Sequence, residues 1–332
     1  MYSRRSLMVS SLLALVAACG RESGDSAVVQ QAAADATAPR GEGEGHLAVD
    51  GGRIWYKISG AKAGTPVVLL HGGPGFSSYY LKPLEALSDE RMVVRYDQLG
   101  GGKSSGLTDT TKITIAHFVN ELDSLRAHLG FEKMHLVGHS WGTILGLEYY
   151  RAHPDRVASL TLASAALDIP QWERHARALL KTLPDSMQRA VSAREAERKF
   201  DAPDYQAALE AFYAKYVWLR PVKPDLDSMM RQVNGTVYGY MQGPSEFTIT
   251  GTLKTYDATP FLKQVKVPTL FTVGAVDEAD PVTIRRHAAM VPGGRVALIP
   301  NAAHITTWDN PEPMITAIRT HLKAADAAAS PR

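Results

Sequence analysis

Gly138-His139-Ser140-Trp141-Gly142 follows an apolar run at residues 134–137 and precedes a helix-like stretch at residues 143–151. Strand, G-x-S-x-G, helix is the context of a nucleophile elbow, a tight turn that lifts a serine hydroxyl off the end of its strand. The two glycines permit that turn because they carry no side chain to collide with it. Ser140 is therefore the candidate nucleophile, and the fold expected around it is α/β.

A serine hydroxyl is a weak nucleophile until a base takes its proton, and the base must be oriented by a third group. After this elbow the usual chain order is Ser, then an acid, then His, each at the end of a later strand. Residues 268–273 read as a buried strand ending in Gly274-Ala275-Val276-Asp277, and residues 295–299 read as the next strand, followed by Pro300-Asn301-Ala302-Ala303-His304. Asp277 and His304 are the candidate acid and base. A lone loop aspartate is more often a turn or cap residue, and a lone histidine more often a filler; their positions after consecutive strands single these two out. Asp280 is the competitor for the acid, although its place before Pro281 reads as a turn.

An acyl-transfer site also needs donors for a developing oxyanion. Residues 66–70 form a short apolar strand that runs into His71-Gly72-Gly73-Pro74-Gly75. Such a loop can offer an unhindered backbone N–H, and the second donor is the N–H of the residue after the nucleophile. Gly73 and Trp141 are the assignments, with Gly72 as the alternative to Gly73.

Apolar strand-like runs at 67–70, 92–96, 134–137, 158–162, 269–273 and 296–299 alternate with helical patterns, as a mostly parallel sheet flanked by helices requires. Asp50-Gly51-Gly52 joins two shorter extended runs into an expected hairpin. Ile115, Phe118, Val119, Leu122, Leu125 and Leu129 have helical spacing, with Gly130 as a stop. The rhythm breaks between residues 167 and 257, where the chain turns helical, charged and aromatic. That stretch is expected to be an inserted helical cap, leaving 46–166 and 258–325 as the core. Most of the cap's aromatics are expected to pack its own small core.

His71 to Gly75, Asp97-Gln98, Gly138 to Gly142, Gly243-Pro244-Ser245-Glu246-Phe247, Gly251-Thr252-Leu253 and Gly274 to Glu278 together resemble the proline iminopeptidase family of α/β-hydrolases, which includes the tricorn-interacting aminopeptidases. The likeness spans residues 52–322. It implies the α/β-hydrolase fold with an inserted helical cap, no cofactor, and release of N-terminal residues, often proline, from peptides. It also implies that Glu246 and Glu278 hold the substrate's amino terminus, with Tyr238 assisting. The chemistry agrees, because an α-ammonium group in a desolvated pocket needs carboxylate partners. Tyr238 and Phe247 flank the family-like segment and are the cap aromatics singled out for substrate contact. Leu99 departs from the pattern: the family commonly carries an arginine there, so a local salt bridge is not expected.

The first residues read as an export signal rather than as part of the fold. Arg4 and Arg5 precede an apolar run at 7–18, too short to span a bilayer, and Ala17 and Ala18 come just before Cys19, the only cysteine. This resembles a bacterial lipoprotein signal, with residues 1–18 removed and Cys19 acylated; Gly20 then favours the outer membrane of a periplasmic product. Residues 3–8 also resemble a twin-arginine signal, more weakly. Residues 19–45, rich in Ala, Gly and acidic side chains, read as a flexible tether. One cysteine allows no internal disulfide. Loss of residues 1–18 removes two of 36 basic residues and no acid, leaving 34 against 34 acidic. That neutrality gives no reason to expect nucleic-acid binding. Residues 99–104 have a glycine-rich run ending in Lys-Ser, but Asp97 stands where a phosphate loop needs its first glycine. No His or Cys cluster has metal-ligand spacing. Three readings stay open: an aminopeptidase acting on short peptides or aminoacyl amides, an esterase or amidase using the same Ser140, Asp277 and His304, and a non-catalytic binding protein on the same fold.

Overall fold

The computed structural model describes residues 41–61, 63–221 and 229–329. The described strands are β1 (Gly43–Val49), β2 (Gly52–Ser59), β3 (Val67–Leu70), β4 (Val93–Asp97), β5 (Met134–His139), β6 (Val157–Ala163), β7 (Thr269–Gly274) and β8 (Arg295–Ile299). They make one eight-stranded sheet in the order β1-β2-β4-β3-β5-β6-β7-β8. β2 pairs antiparallel with both β1 and β4, and every pairing from β4 through to β8 is parallel. β3, β4, β5 and β7 are buried along their whole length, without the alternation of a half-exposed strand, because helices cover both faces of a parallel sheet.

The helices α1 (Ile115–His128) and α2 (Trp141–Ala152) form where the sequence predicts them. Thr114 caps α1 by accepting from the His117 N–H, and Phe118, Leu122 and Leu125 turn inward. The strand order reverses beside β3, so β5 and its elbow sit mid-sheet, at the carboxyl ends where open α/β sheets bind ligands.

After β6 the chain leaves the sheet and builds α3 (Ile169–Leu180), α4 (Asp185–Glu197), α5 (Pro203–Tyr216) and α6 (Gly235–Met241). It returns beside its point of departure: Ala258 N–H donates to Leu167 O at 2.9 Å and Ile169 N–H to Tyr256 O at 3.0 Å. Asp168 accepts from the Gln171 N–H and so starts α3 at that junction. The core then continues through α7 (Thr259–Leu262), α8 (Pro281–Met290), α9 (Thr306–Asp309) and α10 (Pro311–Ala329).

The opening of the folded chain differs from the sequence expectation. Residues 43–45, assigned to a tether on their glycine and acid content, are the first residues of β1, with Gly43 opposite Ile58 and Gly45 opposite Tyr56. A Cβ on Gly45 would lie 2.5 Å from the Tyr56 hydroxyl, so the glycine marks a ring crossing the strand rather than a flexible linker. At the other end, α10 runs past the expected limit of 325 to Ala329.

Candidate active site

Ser140 has φ 54° and ψ −122°, a conformation that costs a non-glycine residue roughly 1–3 kcal/mol and is kept only where its surroundings impose it. Those surroundings are backbone. A Cβ on Gly138 would collide with Gly142 O, and one on Gly142 with Leu70 O. Ser140 N–H donates to Ala163 O at 3.0 Å, and Thr143 Oγ1 donates to Ser140 O at 2.6 Å. The elbow is thus clamped between β3 and β6, and the serine side chain faces the cavity under the cap.

Asp277 and His304, at the ends of β7 and β8, meet: His304 Nδ1 lies 2.9 Å from Asp277 Oδ1. Burial alone would raise the Asp277 carboxyl. His304, the Ser164 hydroxyl at 2.6 Å and the Ala279 N–H at 2.8 Å outweigh it and hold the group below its ordinary value. The backbone of His304 is carried by the cap, its N–H donating to Tyr216 O at 3.1 Å and the next N–H, of Ile305, to Val217 O at 2.8 Å. Trp172 of α3 meets the imidazole edge-on, with centroids 5.4 Å apart. Asp280 does something else. It accepts from the N–H groups of Val282 and Thr283 and starts α8.

Gly73 has φ 44°, and a Cβ there would run into the Phe76 ring at 2.7 Å. The neighbouring Gly72 N–H is engaged, donating to the Tyr80 hydroxyl at 2.6 Å. Trp141 begins α2, so its N–H has no acceptor within the helix. Gln98 ties the two loops together: its N–H donates to His71 Nε2, its Nε2 to His71 O, and its Oε1 accepts from Trp141 Nε1 at 2.8 Å.

Gly73, Ser140, Trp141 and His304 line one cavity with Glu246, Glu278 and Tyr238. Tyr238 donates to Glu246 Oε1 at 2.6 Å and Gln242 Nε2 to Oε2 at 3.2 Å. Glu278 is 1% exposed, its Oε1 is 3.8 Å from His304 Nε2, and its Oε2 has no hydrogen-bond partner among the described residues. Burial pushes its carboxyl well above the ordinary range, and the charges of Glu246 and Asp277 push it further. Burial also raises Glu246, against the pull of the Tyr238 hydroxyl and His304. Two buried carboxyls lining one cavity have the chemistry to pair with a cation.

A family model described as the alpha/beta hydrolase fold matches residues 65–311. A proline iminopeptidase of Heyndrickxia coagulans is 37% identical over 284 residues, covering 85% of this chain and 99% of that protein. One of Saccharolobus solfataricus is 33% identical, covering 83% of this chain and 91% of the relative. The chain belongs to the proline iminopeptidase family of α/β-hydrolases. Its structure is similar to the crystal structure of the proline iminopeptidase of Mycobacterium smegmatis, with TM-score 0.80, 30% identity, and coverage of 87% of this chain and 100% of that one.

Against the expectation for this family member, Phe247 does not reach the cavity. It is fully buried inside the cap, with its ring 5.2 Å from Phe212 and 6.0 Å from Tyr205. Its neighbour Glu246 does line the cavity. The aromatic wall is built instead by Phe76, stacked on Tyr238 at 5.4 Å, with Trp172, Tyr213 and Trp218. Leu99, in the place of the family's arginine, is fully buried, and its N–H donates to Glu121 Oε2 at 3.0 Å. Sequence reasoning also missed Tyr80, His139 and Ser164. His139 and Ser164 had a usable signal, one inside the pentapeptide and the other directly after β6, but nothing local marks Tyr80.

Proposed function

We propose that this chain is a serine aminopeptidase that releases N-terminal residues, proline among them, from short peptides or aminoacyl amides. In this reading Ser140 Oγ attacks the carbonyl of the first residue while His304 takes its proton, and Asp277 holds the imidazole and balances its charge. The N–H groups of Gly73 and Trp141 receive the oxyanion. His304 returns the proton to the leaving amine, and water then releases the acyl group by the same route. The observation that carries the reading is the Glu246 and Glu278 pair beside Ser140, since an esterase has no need of two buried carboxyls at its acyl site. Tyr238 orients Glu246 for the substrate's ammonium.

Hydrolysis of prolyl and other aminoacyl arylamides, compared with their N-acetylated forms, tests it. Free-amine substrates are expected to be cleaved and blocked ones spared. Equal cleavage of both would transfer the site to the esterase or amidase reading. Ser140→Ala is expected to lose several orders of magnitude in kcat while staying folded, because the members of such a set act as a unit. Full activity in that variant would remove the mechanism altogether.

Cys19 lies outside the described residues. Its proposed acylation and the proposed periplasmic, outer-membrane location rest on the lipoprotein-like signal at residues 1–18. The full-length protein is then expected to fractionate with membranes and Cys19→Ser to be released or misprocessed. Recovery of the wild type solely as soluble, unacylated protein would overturn this.

A further inference from the structure

Four polar groups run in a line between the glycine loop and the histidine loop. Gly72 N–H donates to the Tyr80 hydroxyl at 2.6 Å, that hydroxyl lies 2.8 Å from His139 Nδ1, and His139 Nε2 lies 2.9 Å from His304 O. The carbonyl at the far end and a neutral imidazole together fix the protons. Only an N–H can meet it, so His139 carries its hydrogen on Nε2; its Nδ1 then has a lone pair, and Tyr80 must donate to it. The imidazole is held neutral, because burial together with the neighbouring His304 pushes His139 down to about 3. Both ends of Tyr80 are committed, for its backbone O also accepts from Thr307 Oγ1 at 2.9 Å, three residues past His304. The residue is 3% exposed.

Glycine and histidine loops follow strands β3 and β8, which are not neighbours in the sheet. The ladder through β5, β6 and β7 fixes the two strands, but the oxyanion donor and the base stand on loops beyond its end, where further contacts must set their separation. Catalytic groups need placement within about 0.5 Å, which side-chain hydrogen bonds between loops can supply. We propose that Tyr80 is a positioning residue, whose hydroxyl, through His139, sets the Gly73 N–H in register with His304. This rests on the serine-hydrolase reading of Ser140, Gly73 and His304. It further assigns Gly72 a supporting role, since its N–H is spent on Tyr80 and, of these two glycines, that of Gly73 is left for substrate beside the Trp141 N–H.

Tyr80→Phe removes one oxygen and keeps the ring that packs edge-on against His139 at 5.2 Å. The probe is an alkyl fluorophosphonate, whose reaction with Ser140 needs the base and the oxyanion donors but no substrate amine, with aminoacyl arylamide kinetics beside it. In Tyr80→Phe the phosphonylation rate and kcat are expected to fall together by about 10- to 100-fold, the size of one misplaced catalytic contact, with KM within about twofold of wild type. A merely structural hydroxyl would lower Tm and leave kcat alone, and that result would overturn the proposal. So would a change confined to KM. His139→Asn, paired with Tyr80→Phe, supplies a second measure: two members of one line are expected to lose less together than the product of their separate losses, and multiplicative losses would count against the linkage. If the wild-type serine is not labelled at all, the serine-hydrolase reading fails and takes this one with it; if it is labelled and Tyr80→Phe matches it, only the positioning role fails.

Discussion

The hydroxyl of Ser164 donates to Oδ2 of Asp277 at 2.6 Å, on the carboxylate oxygen that His304 leaves free. Ser164 itself has φ 48°, a left-handed conformation at the end of β6 that aims this hydroxyl at the acid. It also approaches His304 O at 3.2 Å, so one side chain braces both the acid and the loop that carries the base.

Ser164→Ala is therefore expected to lower kcat about tenfold with KM little changed. A hydrogen bond to a charged group is worth roughly 1.5–3 kcal/mol, and the Gly274 and Ala279 N–H groups still hold the carboxylate after the hydroxyl is gone. Steady-state kinetics on an aminoacyl arylamide checks this, and an unchanged kcat would show that those backbone donors suffice.

The Glu246 and Glu278 pair sets a pH dependence. Glu278, raised by burial and by the charges of Glu246 and Asp277, keeps its proton to higher pH than an ordinary carboxyl. An ammonium group binds to the carboxylate form, so the substrate must displace that proton. KM for free-amine substrates is expected to rise as pH falls through the raised value, while kcat changes less. Glu278→Gln is expected to raise KM by about 10- to 100-fold, as loss of one charge-assisted partner implies, and to erase that acid limb. A KM profile identical in Glu278→Gln and wild type would dissociate the residue from amine binding.

Glu121 gives a stability prediction. It is 3% exposed, accepts from the Leu99 N–H with one oxygen, has no partner for the other among the described residues, and burial raises it to about 8 from 4.5. Between those values the folded chain keeps a proton that the unfolded chain has released, so this group's contribution is fully present below the lower value and is lost as pH rises toward about 8. Glu121→Gln keeps the shape and the acceptor without the titration. It is expected to be more stable than wild type at pH 8 by on the order of 2 kcal/mol, a fraction of the roughly 1.4 kcal/mol per unit that the shift allows. At pH 5 the two should unfold alike. Denaturant titrations at the two pH values decide, and equal stability at both would mean that water or rearrangement relieves the carboxylate.

Local signals in the sequence determined the sheet, the β1–β2 turn, α1 and the elbow, because strand burial, helical period and glycine punctuation are written into neighbouring residues. The same signals marked Asp277 and His304, each in the loop after a strand. They erred where composition and packing disagree. Glycines at 43 and 45 carry the composition of a linker, yet both pair in β1, Gly45 against the Tyr56 ring, and Phe247 has the look of a cavity aromatic while its side chain fills the cap. What only the tertiary structure decided are the contacts between segments far apart in the chain. Glu246 of the cap faces Glu278 of the core, Tyr216 holds the backbone of His304, Ser164 braces Asp277, and Tyr80 reaches His304 through His139. No periodicity or spacing encodes such meetings, since each depends on where two separately folded loops come to rest once the cap has closed over the carboxyl end of the sheet.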